Sequence, residues 1–446
     1  MAATGVVGAT HASTPAVPRA CRTQPSSAWT IDERRTLVDP VAGTLGDLVV
    51  DRNGTATLAR RDWADDARIV RTSSLPAAPG DPQTVPGPPQ GEPDPDEHVS
   101  TLFPDYDDHL GVDDSGALTT LFLQDRLLQN GQLAPLGYNL ALSDRPAGGT
   151  WLPTPHVADV GQIDRARLHV NASGAAVALW NRYQGRLRLY VSYRPAADAA
   201  WTPAQRLAPA ASFSWVSGID DSGRVVVGYA THPADIRFVT GTPTAGWSRP
   251  HRFPDGIVED FAVGAGGHAR VTLLHGSVHS NFDDRRTYTM SPTGRWSRGV
   301  PQPSTDSLRT VTALDGAGRA TSMRWDKEQL VARTSDRNRQ WRKPCVLAQG
   351  LRGRRHTSEA DDHFAVNSRG DAVVMYRTWN RARGTHLWAS YKPVGQPWTE
   401  PIKLPAGATR RYAEARAAIG PAGHAAVGWS ARNHKRITIV RMSPVP

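Results

Sequence analysis

Cysteine, lysine and long apolar runs are all scarce in this chain of 446 residues. The two cysteines, Cys21 and Cys345, cannot form a disulfide framework, and no Cys/His spacing typical of structural zinc occurs. Whether the two pair with each other is left open by the sequence. No stretch approaches the roughly 18 consecutive apolar residues of a transmembrane helix, so we expect no membrane insertion.

Motifs for nucleotide and serine-hydrolase chemistry are also missing. The chain has no Gly-x-Gly-x-x-Gly between a strand and a helix, no phosphate-binding loop and no Gly-x-Ser-x-Gly elbow. We therefore expect no cofactor and no metal.

Positive charge is abundant, but it is almost all arginine. The formal net charge is +10, and lysine accounts for five of the 52 Lys and Arg residues. The arginines are scattered, with the densest cluster at Arg352-Gly353-Arg354-Arg355. Such a ratio is typical of a G+C-rich genome, and scattered cations are typical of a solvated surface. We expect no nucleic-acid partner, although clustered cations would favour one.

The N-terminal residues 1–27 differ from the rest of the chain. They include a short, weakly apolar stretch followed by small residues, but they lack the basic start of a signal peptide. We interpret this segment as the remnant of an export signal or a flexible terminus. This predicts a secreted or cell-surface protein whose residues 28–446 form a single domain, and we expect a monomer.

Tryptophan recurs along the chain at intervals of 45 to 57 residues. Four copies share a frame in which proline follows two or three residues later: Trp201-Thr-Pro203, Trp247-Ser-Arg-Pro250, Trp341-Arg-Lys-Pro344 and Trp398-Thr-Glu-Pro401. Trp151 and Trp296 begin looser copies.

A second mark, an Asp or Asn three residues before a glycine, alternates with the first. It predicts a tight hairpin, because the Asx side chain caps its own backbone and glycine tolerates a positive φ. Its copies are Asp51…Gly54, Asp113…Gly116, Asn171…Gly174, Asp220…Gly223, Asp315…Gly318 and Asn367…Gly370, with the Asx lost at Gly264…Gly267 and Gly420…Gly423.

After each of these glycines the residues alternate as in a half-buried strand, and an aromatic often stands six residues on. Each unit of about 50 residues thus predicts four short strands, which is typical of an all-β propeller blade. The last unit lacks its fourth strand, and Trp29–Leu37 supplies an unpaired one, so we predict that the N-terminal strand completes the last blade. Eight hairpins predict eight blades. Seven is the alternative, because the first unit lacks the tryptophan and has a Pro-rich loop over residues 75–96 with eight prolines.

The residues between the third predicted strand and the tryptophan of each unit resemble the Asp-box, or bacterial neuraminidase repeat, with the pattern Ser-x-Asp-x-Gly-x-Thr-Trp. The nearest copies are degenerate: Ser335-Asp336 to Trp341, Ser291 to Trp296, and Ser143-Asp144 to Trp151. The resemblance implies a sialidase-like propeller. In that family these boxes are structural turns on the face opposite the substrate, and they also occur in non-enzymatic propellers. Sialidases clamp a carboxylate with three arginines, yet their Arg-Ile-Pro signature is absent here, and Arg68-Ile-Val is the nearest string.

The ligand should therefore bind to the loops opposite the Asx-Gly turns, which we place at His275–Arg286, Asp255–Asp260, Arg352–His363 and Arg377–His386 among others. We predict a recognition module for a glycan or protein, because the repeats leave no catalytic set over. The alternative is a sialidase-like glycoside hydrolase that uses loop carboxylates such as Asp361 or Asp283 with arginine support. The ligand-binding candidates are Trp379, Arg377, Arg381, Arg383, Asp361, Asp362, His363 and Asp283.

Overall fold

The computed structural model consists of small antiparallel β-sheets arranged around an axis, and they form an eight-bladed β-propeller. It describes no helix long and apolar enough to cross a membrane. The residues described are 19–25, 29–38, 44–64, 67–76, 82–86, 97–102, 110–128, 133–152, 156–161, 163–183, 186–208, 215–232, 235–254, 256–275, 284–302, 309–326, 329–336, 340–349, 363–380, 384–405, 412–431 and 436–444.

Each blade is numbered in chain order, and its strands run from the first, at the axis, to the fourth, at the rim. Blade 1 contains Thr44–Val50, Ala56–Ala64, Ala67–Leu75 and Gln83–Thr84; blade 2 contains Glu97–Leu102 with Leu110–Val112, then Leu118–Leu128, Leu133–Arg145 and His156–Gly161; blade 3 contains Ile163–Val170, Ala176–Tyr183, Leu187–Arg194 and Gln205–Ala208; blade 4 contains Trp215–Ile219, Val225–His232, Asp235–Thr242 and Gly246–Trp247 with His251–Pro254.

The second half of the ring repeats the same order. Blade 5 contains Gly256–Val263, Ala269–His275, Asp284–Met290 and Val300–Gln302; blade 6 contains Arg309–Leu314, Ala320–Asp326, Gln329–Thr334 and Cys345–Gln349; blade 7 contains Phe364–Val366, Ala372–Asn380, Gly384–Lys392 and Trp398–Thr399 with Ile402–Lys403; blade 8 contains Tyr412–Ile419, Ala425–Ala431, Arg436–Pro444 and Trp29–Val38.

The first strands form a closed ring, since each contacts the first strand of the next blade and that of blade 8 contacts that of blade 1. The hydrophobic core lies between neighbouring blades rather than inside any one of them. The second strands are therefore covered on both faces, and Ala176–Tyr183 is apolar at five consecutive positions as a buried strand should be. The predicted aromatics six residues after the glycines, such as Trp180 and Phe122, are buried.

The Asx-Gly marks form the hairpins between first and second strands, as predicted. All eight closing glycines have a φ between 73° and 97°, which only glycine adopts without strain. In blade 2, Asp113 Oδ1 accepts hydrogen bonds from the Ser115 and Ala117 amides, both at 2.9 Å. The second and third strands are antiparallel, so the turns after the third strands lie on this same face.

The N-terminal strand closes the ring in the predicted way. Trp29–Val38 pairs antiparallel with Arg436–Pro444, from Trp29 opposite Pro444 to Val38 opposite Arg436. The Trp29 ring also stacks on Tyr391 of blade 7, with 3.8 Å between the centroids. The alternative of seven blades is wrong, because the first unit forms a full blade whose fourth strand is Gln83–Thr84.

The described part of the N-terminal segment adds to the rim of the propeller. Arg19–Ala20 pairs in parallel with Cys345 and Val346 of blade 6, and Thr23–Gln24 pairs in parallel with Trp398–Thr399 of blade 7. We call residues 19–24 the strap. Cys21 and Cys345 form a disulfide, which answers the question left open by the sequence and fixes the strap to blade 6.

Two of the predicted loops are largely strands. Residues 256–260 belong to the first strand of blade 5, where a β-bulge between Val258 and Asp260 breaks the alternation that would have indicated a strand. Residues 377–380 and 384–386 belong to a long hairpin of blade 7. The hairpin extends beyond the apolar core, so its polar end had the composition of a loop.

Candidate functional site

The predicted ligand residues that the structure describes all lie in blade 7. Arg377 and Trp379 both belong to the second strand of this blade, Ala372–Asn380. Arg377 is half-buried, and burial lowers the pKa of its guanidinium. The other predicted residues, Arg381, Arg383, Asp361, Asp362 and Asp283, lie outside the described residues.

His363 directly precedes the first strand of the same blade. Burial, assisted by the positive charge of Arg416 on blade 8, lowers the pKa of the imidazole to about 4. The ring is therefore neutral near pH 7, and His363 does not add positive charge to the Arg377 strand.

Carboxylates near the axis hold the first strands of adjacent blades together. Asp47 Oδ2 accepts the Leu110 amide of blade 2 at 3.2 Å, and Asp260 Oδ1 accepts the Thr312 amide of blade 6 at 3.1 Å. Glu414 Oε2 accepts the Leu45 amide of blade 1 at 2.6 Å. Each of these three acids therefore ties two neighbouring blades together.

Glu259, which the sequence did not single out, has a different environment. Its Oε1 lies 2.5 Å from Arg285 Nη2, and both side chains are mostly buried. Burial raises the pKa of Glu259 although the charge of Arg285 opposes this. Within the described residues Oε2 has no hydrogen-bond partner. The sequence signal was the Glu259-Asp260 pair itself, which we had placed in a loop.

A cleft of about 450 Å³ opens between blades 6 and 7 on the side of the Asx-Gly turns. We call it the basic cleft, since six of its lining residues are cations and two are acids. The cations come from the strap, from the turns of blade 6 and from the third strands of blades 6 and 7. They are Arg22, Arg319, Arg333, Arg342, Lys343 and Lys392.

Within the described residues, the two acids of the basic cleft form an ion pair with one of its six cations, Arg319. Asp315 is nearly inaccessible, pairs with Arg319 and accepts the amides of its own turn. Asp336 Oδ1 accepts the Gln340 amide at 2.9 Å. In the described part of the chain, Arg22, Arg342, Lys343 and Lys392 form no ion pair; this four-residue set carries the uncompensated charge.

The pKa of Lys392 shows both the burial of this side chain and the charges around it. Its pKa is lowered chiefly by burial, and the positive charges of Arg319 and Arg342 add to the effect against the opposing charges of Asp371 and Asp315. The cleft therefore holds cations close enough together to repel one another.

The aromatic rings beside the cleft are covered. The guanidinium carbons of Arg270 and Arg333 lie 4.1 and 4.9 Å from the centroid of the Trp341 ring. Trp398 lines the cleft but is only 4% exposed. Among the described residues, the aromatic rings beside the cleft thus leave little surface for a ligand to stack on.

Comparisons with known proteins find similarity in fold and not in sequence. No family model matches the chain, and no curated protein matches it. Similar solved structures include the Dos1 propeller, at 10% identity and a TM-score of 0.48 over 92% of this chain and 94% of that one. They also include the polysaccharide lyase Uly1, at 7% identity and a TM-score of 0.46 over 93% and 100% of the two chains. A neuraminidase-like protein of A/little yellow-shouldered bat/Guatemala has 9% identity and a TM-score of 0.38 over 64% and 96%.

At TM-scores of 0.38 to 0.48 these similarities are too distant to assign a family or a function to this chain. At these identities the similarity concerns the fold, and it leaves the Asp-box resemblance of the turns as an interpretation of the sequence.

Proposed function

We propose that this propeller is an exported, non-enzymatic recognition module that binds a glycan or protein at the face opposite the Asx-Gly turns. The observation that carries the proposal is the use of Asp47, Asp260 and Glu414 as ties between blades. Glycoside hydrolysis needs two carboxyl groups free to contact the sugar and exchange protons. Acids that accept backbone amides across blade junctions are unsuited to that function.

Export is supported by the bond between Cys21 and Cys345. Disulfides persist in oxidising compartments and are rare where thiols are kept reduced. The strap would then be fixed covalently during maturation outside the cytosol.

The test is a glycan-array screen run beside a panel of fluorogenic glycosides on the same preparation. We expect binding without turnover, and we expect Arg377→Ala and Trp379→Ala to weaken it about tenfold each, as for loss of one charged or aromatic anchor. Arg298→Ala, an exposed arginine after the Trp296 turn, is the matched control and should bind normally. The proposal would be contradicted if the parent protein turned over any glycoside and a variant that lacks a loop carboxylate, Asp361→Asn or Asp283→Asn, did not.

Glu259 favours the second candidate, a sialidase-like glycoside hydrolase. A mostly buried carboxyl with a raised pKa beside a single arginine is the environment of many general acids. If the protein is such an enzyme, Glu259→Gln should lower kcat at least about 100-fold. Gln keeps the shape but removes the charge that pairs with Arg285, so circular dichroism must show a folded variant before kcat is compared. Glu414→Gln, whose side-chain carbonyl can still accept the Leu45 amide, is the matched control and should leave kcat unchanged.

A further inference from the structure

We infer that the basic cleft between blades 6 and 7 is a second binding site, which takes an acidic polysaccharide through its carboxylate or sulfate groups. The site lies on the Asx-Gly side of the ring, away from the face considered above. The inference does not depend on that face binding any ligand.

The cations of the cleft lie together although most of them are far apart in the sequence. Arg22 comes from the strap, Arg342 and Lys343 from a turn of blade 6, and Lys392 from blade 7. Like charges that line one cleft repel one another, and a bound anion relieves the repulsion. A cluster of unpaired like charges does not stabilise the fold, and such clusters are expected at functional sites. The uncompensated charge therefore indicates a ligand.

The volume and the charged groups of the cleft both suit an acidic oligosaccharide. The volume of about 450 Å³ lies within the range of small-ligand sites and suits a segment of one or two sugar rings. Arginine pairs in bidentate fashion with carboxylate and with oxyanions of similar geometry, whereas lysine acts as a point charge. Arg22 and Arg342 are exposed and Lys392 is half-buried, so charges are present at the rim and at depth.

The described lining of the cleft does not suit a nucleic acid. Single strands bind proteins through a basic groove combined with aromatic side chains on which the bases stack. Here the Trp341 ring lies beneath two guanidinium groups, and Trp398 is almost fully buried. The basic cleft thus offers charge without a stacking surface, which suits sugars that carry anions more than bases.

An acidic peptide could not add a strand to the described sheet edges beside this cleft. Such peptides need an unpaired outer strand. At Cys345–Val346 and at Trp398–Thr399 that position is taken by the strap, which the disulfide at Cys21 holds in place.

The experiment titrates the whole chain, with its disulfide intact, against three size-matched oligosaccharides. One is a galacturonate oligomer, one a sulfated dextran fragment and one a neutral dextran fragment. We expect one or both acidic oligomers to bind, and the neutral one not to bind. The affinity should fall as salt is raised, because the contacts are ionic. The acidic arm that binds more tightly identifies carboxylate or sulfate as the group recognised.

The variant that tests the site is Arg342→Ala combined with Lys343→Ala. Both side chains are exposed and unpaired within the described residues, so folding should be unaffected, and binding should weaken at least about tenfold. Arg249→Ala combined with Arg298→Ala removes the same charge from the equivalent turns of blades 4 and 5. This control should bind like the parent.

Several results would overturn the inference. One is that neither acidic oligomer binds. A second is an equal loss of binding in the control variant, which would indicate attraction to net charge alone. A third is that a DNA oligomer or an acidic peptide binds more tightly than the oligosaccharides and depends on the same cleft residues. Arg377→Ala separates the two proposals, because it should leave binding to the cleft unchanged while weakening binding at the opposite face.

Discussion

In the hairpins between first and second strands, contacts with the next blade explain why some turns use Asn rather than Asp and why one has no side chain at this position. Asn171 Nδ2 donates to the Asp220 carbonyl of the next blade at 2.9 Å, and Asn367 Nδ2 donates in the same way to the Gly420 carbonyl. An ionised aspartate has no hydrogen to donate. At Gly264, where the Asx is lost, an added Cβ would lie 2.5 Å from the Asp315 carbonyl of the next blade, so no side chain fits.

This geometry predicts that Asn367→Asp destabilises the fold. The change removes the donor to the Gly420 carbonyl and places a second carboxylate 3.0 Å from Asp371 Oδ2. We expect a loss of about 1–3 kcal/mol in the free energy of unfolding at pH 7. Urea denaturation measures it. Asn53→Asp makes the same chemical change at an exposed turn position and should cost little, and equal losses in both variants would contradict the explanation.

A second prediction at the residue scale concerns pH. The folded pKa of His363 is about 4, well below that of an unfolded histidine, because burial and Arg416 oppose the charged form. As pH falls from about 6.5 to about 4, the unfolded chain takes up a proton there and the folded chain does not, so stability is lost over that window. The loss should be about 2–3 kcal/mol.

Denaturation of the parent and of His363→Gln across this range measures the effect. The variant should lose less stability on acidification, because its side chain does not titrate. Parallel profiles for the two proteins would show that His363 is not the group responsible.

Among the elements, the strap has the weakest sequence signal and the clearest structural consequence. Its two strands have two residues each, and no periodicity can be read from such lengths. Their pairing is parallel and depends on partners more than 300 residues away. The disulfide closes a very long loop of the unfolded chain, which stabilises the fold mainly by restricting that chain.

We therefore predict that Cys21→Ser combined with Cys345→Ser lowers the free energy of unfolding by about 2–5 kcal/mol. Urea denaturation gives the value, and cleavage of the strap by a protease under native conditions should become faster. Dithiothreitol should destabilise the parent and leave the double variant unchanged. A reducing agent that affects both proteins equally would contradict an effect through this bond.

The blades themselves could be predicted from the sequence because each repeats the same local physics. The Asx-Gly hairpins, the aromatic positions and the completion of blade 8 by Trp29–Val38 all follow from spacing and alternation. The basic cleft could not be predicted, since Arg22 and Lys392 become neighbours only through the order of blades and the strap. The abundance of arginine also hid any local enrichment. Glu259 was misplaced because a β-bulge interrupts the alternation of its strand.

For the whole molecule, the important property is that the ring is closed by strands from both ends of the chain. Blade 8 takes three strands from the C-terminal region and its outermost one from Trp29–Val38. Among the described residues, apolar clusters join neighbouring blades at seven of the eight junctions, including both sides of blade 8, so opening one of these junctions exposes two apolar faces. A closed ring of this kind should unfold in a single transition, unlike an open repeat array.

Trp29 is the residue that tests this closure. It is 4% exposed, it stacks on Tyr391 of blade 7, and it belongs to the cluster that joins blades 7 and 8. Trp29→Ala should therefore lower the free energy of unfolding by about 3–5 kcal/mol, as expected when a buried aromatic leaves a cavity. Trp247→Ala changes the same residue type at a half-buried position in the short fourth strand of blade 4 and should cost less.

The two variants should also differ in how they unfold. Loss of Trp29 loosens the strand that closes the ring, so a separate early transition, or proteolytic cleavage near residues 29–38 before global unfolding, should appear. Trp247→Ala should keep a single transition, because blade 4 is continuous in sequence and its neighbours hold it on both sides. If both variants unfold in one step with the same loss of stability, the N-terminal strand is one packing element among many. Closure by the two chain ends would then contribute nothing specific to the stability of the ring.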